Sequence, residues 1–148
     1  LAGELSLPGV GDEMNIKFTD LTGTEIDLSK MHDKVILVDF WATWCGPCVA
    51  EMPNVTAAYE AYHAKGFEVV GISLDDDKAA VEAFTKENKM PWPQYFDGKG
   101  WENEISQRFG ITSIPATFLV GKGGKIVASN LRGPDLEKAI EKALSAAE

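Results

Sequence analysis

Cysteine and histidine are both scarce: the 148 residues hold two of each. That shortage excludes a disulfide-built scaffold and leaves too few ligands for a structural zinc site, which takes about four. His32 and His63 also lack the paired spacing such a site uses. Basic side chains are in deficit, 14 against 23 acidic ones, and the net charge of -9 disfavours nucleic acid or an anionic lipid surface as the main partner. No apolar run approaches the roughly 20 residues that span a bilayer, so no membrane span is expected. The opening Leu1-Ala2-Gly3 has no initiator methionine, basic n-region or apolar h-region, and the expectation is that a targeting segment or N-terminal anchor has been removed. Repeats, low-complexity tracts and linkers are missing as well, so a single domain over 1–148 is expected.

What is present alternates between strand and helix patterns. Residues 15–29, "NIKFTDLTGTEIDLS", alternate apolar and polar on both sides of Thr22-Gly23 and predict a hairpin. "KVILVDFWA" (34–42) is a nearly continuous β-branched run, the pattern of a central strand covered on both faces. Helical spacing follows, with Val49, Met52, Val55 and Tyr59 near one stripe, Gly66 as a stop, and Pro53 expected to interrupt and kink the helix. A second buried strand (67–75) and a second helix (77–89) make a parallel pair joined by a right-handed crossover. A short extended piece, a short helix (102–110), a hairpin of "ATFLV" and "KIVAS" around "GKGGK", and an amphipathic helix from Gly133 to the end complete the chain. The fold class is α/β, a central mixed sheet flanked by helices.

Both cysteines lie in "FWATWCGPC", just past the central strand, with Cys48 in the first turn of the next helix. Unpaired N–H groups and the positive end of the helix dipole stabilise a thiolate there, and only the thiolate is nucleophilic. Gly46 permits the sharp turn, and Pro47 fits a first helical turn, where its missing N–H costs little. A disulfide enclosing two residues restrains little chain entropy, so it is a poor staple. Covalent c-type haem needs histidine after the second cysteine, and Val49 stands there. What remains is a redox pair that cycles between dithiol and disulfide.

"VDFWATWCGPC" together with "ITSIPATFLV" resembles the thioredoxin superfamily, in the same order of elements over nearly the whole chain. The N-terminal hairpin, Glu51-Met52-Pro53 after the motif, and the inserted helix and strand resemble its TlpA/ResA-like branch, extracytoplasmic thiol-disulfide reductases of bacteria. The resemblance implies a thioredoxin-like fold and a periplasmic home. It implies protein disulfide or dithiol substrates with an upstream redox partner, and neither an organic cofactor nor a metal. It casts Cys45 as the attacking nucleophile and Cys48 as the resolving thiol. Ile114 and Pro115 match the cis-proline step that faces the disulfide, and Gly46, Pro47 and Trp44 fall on the docking surface. Asp39, a carboxylate inside an apolar run whose burial should raise its pKa, matches the acid that takes the resolving cysteine's proton through water. Glu51 matches a second acid of the ResA-like proteins, although from the residues alone a solvated helix position serves equally well.

Trp41 is expected to support the site from beneath, and Trp92 and Trp101 to be core of the inserted elements rather than a partner-facing rim. "DDD" (75–77) lacks the ligand alternation of a calcium loop and is expected to be a solvated strand end. "GKGGK" lacks the spacing and the Ser or Thr of a phosphate-binding loop, and "LRGPD" reads as a loop and helix start. Two rival functions are a peroxiredoxin-type thiol peroxidase and a non-catalytic binding module on the same fold. Against the first, Thr43 is not placed Thr-x-x-Cys from either cysteine; against the second, every group that redox exchange needs is present.

Overall fold

The computed structural model describes residues 7–146. The opening tripeptide and the last two residues of the expected closing helix lie outside them. The N-terminal hairpin pairs β1 (Lys17–Thr19) with β2 (Glu25–Asp27) as a separate two-stranded antiparallel sheet. Asp20 closes its turn, Oδ1 accepting from the Thr22 and Thr24 amides at 2.9 Å each. There follow β3 (Val35–Trp41), α1 (Gly46–Tyr62), β4 (Phe67–Ser73), α2 (Lys78–Glu87), β5 (Gln94–Tyr95), α3 (Glu104–Arg108), β6 (Ala116–Val120), β7 (Ile126–Ser129) and α4 (Pro134–Ser145).

The main sheet has the order β5-β4-β3-β6-β7. β3, β4 and β5 run parallel, and β6 lies antiparallel to both β3 and β7. α2 and β5 are thus an inserted helix and strand that extend the sheet on the β4 side. All seven residues of β3 are buried, as its β-branched run requires of a strand flanked on both edges and both faces. Successive side chains point to opposite faces. Phe40 accordingly meets Phe118 edge-on at 6.0 Å, while Trp41 meets Phe84 of α2 at 5.4 Å. The Trp41 indole also needs a polar partner once buried, and Nε1 donates to Gln94 Oε1 at 2.8 Å. Gly71, on β4 between them, makes the room: a Cβ there would overlap the Gln94 side chain. Trp41 is thus a core residue, buried against α2 and β5.

Two expectations are corrected. Pro53 does not interrupt its helix, because α1 runs through it to Tyr62. A proline in a helix interior costs about 3 kcal/mol. Burying Met52 and Val55 of the same stretch, at roughly 1.5–3 kcal/mol each, offsets it. The "DDD" run is not a solvated strand end either. β4 stops at Ser73, Asp75 is 2% exposed, and Asp77 caps α2, its Oδ1 accepting from the Ala79 and Ala80 amides.

The sheet's two edges differ in how they end. β5 has two residues, and its Tyr95 ring is met edge-on by Phe18 of the hairpin at 5.5 Å. At the start of β7 the segment 11–14 pairs with Ile126: Gly11 N donates to Ile126 O at 2.8 Å, and Ile126 N to Asp12 O at 2.9 Å.

Candidate active site

Cys45 and Cys48 are joined in a disulfide with their Cα atoms 5.2 Å apart. Cys45 is the N-cap of α1, and its Sγ accepts from the Cys48 N–H at 3.3 Å, a place otherwise taken by a Ser or Asp oxygen. The Cys48 amide at this helix end is thus aimed at the sulfur that resemblance casts as the nucleophile. Both cysteines are largely buried, Cys45 at 6% and Cys48 at 2% exposure, whereas Gly46, Pro47 and Trp44 are exposed.

The turn before Cys45 is held by Asp75. Its carboxylate accepts from Thr43 N at 3.1 Å, from Thr43 Oγ1 at 2.5 Å and from Ser73 Oγ at 2.7 Å. Ser73 O in turn accepts from Asn103 Nδ2 at 3.0 Å, and Asn103 Oδ1 caps α3 through the Ser106 amide. One buried polar chain thus links the strand end, the turn that carries Trp44 and Cys45, and the segment after β5. A buried donor deprived of its acceptor costs about 1–3 kcal/mol. Asp75→Ala strips three at once and is expected to lower the unfolding free energy by about 3 kcal/mol in a urea titration. An unchanged midpoint would mean that the network carries no stability.

Asp39 is 4% exposed and lies in the middle of the sheet, opposite Gly71 and Thr117. Burial first, and the neighbouring Glu51 charge second, push its pKa up from the ordinary 3.8 to about 7. Glu51 is half-buried rather than solvated. Its Oε2 accepts from Gly133 N, at the start of α4, at 2.9 Å, and its Oε1 from Asn54 Nδ2 at 3.0 Å. "LRGPD" is the loop and helix start expected of it, and its amide is satisfied by this chain's own carboxylate. The Ile114–Pro115 peptide is cis. Pro115 and Glu51 line one small cleft with Thr117, Asn130 and Leu131, which brings the proline loop against α1.

Of the two outlying tryptophans, Trp92 is core, 4% exposed and stacked at a tilt on Tyr59. Trp101 corrects the expectation: it is 44% exposed, with its ring 6.0 Å from that of Trp44, itself 54% exposed. The sequence offered little signal for it, since its contact partner is 57 positions away and it sits in a lone 3-10 turn, Gly100–Glu102. Asp75, Gln94 and Asn103 were missed for a similar reason, being polar residues whose partners are remote in the chain. Among the described residues no cluster of three or more His, Cys, Asp or Glu could hold a metal, and no helix is long and apolar enough to cross a membrane.

A disulfide of the Cys-x-x-Cys type, set at the start of the helix that follows the central strand of a mixed sheet, defines a thiol-disulfide oxidoreductase of the thioredoxin fold. The chain belongs to the Redoxin family, which matches residues 9–144, and to the TlpA/ResA-like branch of the thioredoxin superfamily. It is 33% identical over 130 residues to the thiol-disulfide oxidoreductase ResA of Bacillus thuringiensis subsp. konkukian, covering 88% of this chain and 73% of that one. With ResA of Bacillus subtilis the identity is 30% over 126 residues, 85% of this chain and 69% of the relative. Among solved structures, the thioredoxin domain of a thiol-disulfide oxidoreductase from Bacteroides vulgatus superposes with a TM-score of 0.82 at 33% identity, over 93% of this chain and 99% of that one. A thiol:disulfide interchange protein from Bacteroides sp. gives 0.79 at 31%, over 96% and 93%.

Proposed function

We propose that this oxidoreductase works as a reductant of disulfides in other proteins, with Cys45 attacking and Cys48 resolving. The observation that carries the assignment is the Cys48 N–H directed at Cys45 Sγ from the end of α1, which favours the thiolate at Cys45 over that at Cys48. The Cys45 thiolate attacks one sulfur of the partner's disulfide. A Cys45–partner bond forms, the partner's S–S bond breaks, and the partner's second sulfur leaves as a thiolate that takes up a proton. Cys48 then gives its proton to the Asp39 carboxylate through water and attacks Cys45 Sγ. The mixed disulfide breaks and the partner departs as a dithiol, two electrons richer, leaving Cys45–Cys48 oxidised. An upstream dithiol resets the pair.

Asp39 is favoured over Glu51 for the proton because its carboxyl exchanges near neutral pH, whereas both Glu51 oxygens are engaged as acceptors. Glu51 acts on Asp39 through its charge. Ile114 and Pro115 present backbone to the partner's extended segment, beside exposed Gly46 and Pro47. The branch supports an extracytoplasmic, periplasmic setting, and the continuous sheet supports a single domain over 1–148.

The test is the equilibrium potential of the pair, read by tryptophan fluorescence across thiol-disulfide buffers. A value near thioredoxin's, about -270 mV, is expected; one near that of DsbA, about -120 mV, would make the protein an oxidant and overturn the direction.

A further inference from the structure

Five large apolar side chains are exposed among the described residues, and two of them, Trp44 and Trp101, touch each other beside Cys45. Tryptophan is an expensive residue to leave in water, and touching, half-exposed aromatics next to a reactive centre mark a contact surface more than a packing accident. Trp101 is not exposed for want of order around it. Asp97 accepts from Tyr95 Oη at 2.8 Å, from Lys99 N at 3.0 Å and from Glu104 N at 2.8 Å, so the turn is closed at both ends. Gln107 Nε2 donates to Trp101 O at 2.9 Å, and Asn103 ties the same turn to Ser73. The segment after β5 is pinned on every side of Trp101, yet its largest side chain is held outward against Trp44.

We infer that Trp101 is a specificity-determining residue: with Trp44 it forms an aromatic seat for an apolar side chain next to the cysteine of the partner's disulfide. The inference rests on the exchange reading above and deepens it. Whatever disulfide Cys45 attacks, the partner's chain must pass Trp44, the adjacent residue, and Trp101 is the side chain that meets Trp44 there. Trp101 takes no part in bond making. It lowers the concentration of partner needed for encounter and leaves the limiting rate alone.

The experiment uses the reduced full chain in single turnovers, followed by chromatography of the released thiols. The probes are hydroxyethyl disulfide, which has nothing to seat, and two peptide disulfides that differ only in leucine or serine beside the cysteine. The wild-type chain is expected to favour the leucine peptide by about tenfold, the scale on which one buried aromatic contact discriminates. Trp101→Ala should cut that preference to about twofold by raising the half-saturating peptide concentration, at an unchanged rate on hydroxyethyl disulfide and an unchanged potential. Trp101→Phe should keep most of the preference. Equal preference in wild type and Trp101→Ala, or no preference in wild type, overturns the inference while leaving the exchange reading standing. A fall of Trp101→Ala on hydroxyethyl disulfide as well would make Trp101 a support of the site and overturn it too. A wild-type chain inert toward all three disulfides would sink the exchange reading itself.

Discussion

Cys45→Ser is expected to lose disulfide reduction by a thousandfold or more, since removing a covalent nucleophile typically costs at least about that much. Cys48→Ser should behave differently. It retains the attacking thiolate at the start of α1, so it should react once and stop, holding its partner in a mixed disulfide visible as a band shift under non-reducing electrophoresis. The asymmetry follows from the geometry, because the Cys48 amide serves Cys45 Sγ whether or not residue 48 carries sulfur. Equal residual activity in the two variants, or a trapped partner in Cys45→Ser, would reverse the roles.

Asp39→Asn is expected to stabilise the protein at alkaline pH while slowing exchange. Asp39 titrates near 7 in the folded chain against an ordinary 3.8. Between those values the folded state holds a proton that the unfolded state has released, so stability falls as pH rises through that window. Below about pH 4 both states are protonated and nothing is lost; above about pH 7 the penalty is complete, about 4 kcal/mol at 1.36 per unit. Asparagine removes the charge and its pH dependence. Denaturant titrations at pH 4.5 and pH 8 should therefore show the variant gaining a few kcal/mol at pH 8 and much less at pH 4.5. The resolving step should slow by about a hundredfold near neutrality, the low end of what a positioned base contributes. A variant with wild-type exchange at every pH would move the proton to Glu51 or to solvent. The two effects together would mark Asp39 as a residue kept at a cost in stability.

The sequence was most informative where chemistry and periodicity coincide. The unbroken run ahead of Cys45 announced a central strand, and Cys-Gly-Pro-Cys announced both a helix start and its use. Asp39 stood out because a carboxylate in an apolar run needs a reason. Residues whose meaning depends on remote partners were invisible. Asp75 looked like one of three solvated acids until the fold brought Thr43 to it, and Trp101 looked like core until the turn around it proved to face outward. Pro53 is the opposite case: local propensity argued for an interruption with a kink, and α1 runs on through it because burial of its neighbours outweighs the local cost.

The edges of the sheet bear on how the molecule avoids pairing with other chains. An exposed sheet edge offers unpaired main-chain groups to any extended segment, the first step toward aggregation. β5 is too short to template such an addition and Phe18 packs on its Tyr95 ring, while β7 has segment 11–14 paired with its first residue, Ile126. Strand addition at the edges is thereby made harder, which leaves the surface around Cys45, where the covalent bond to a partner is reversible, as the place of encounter.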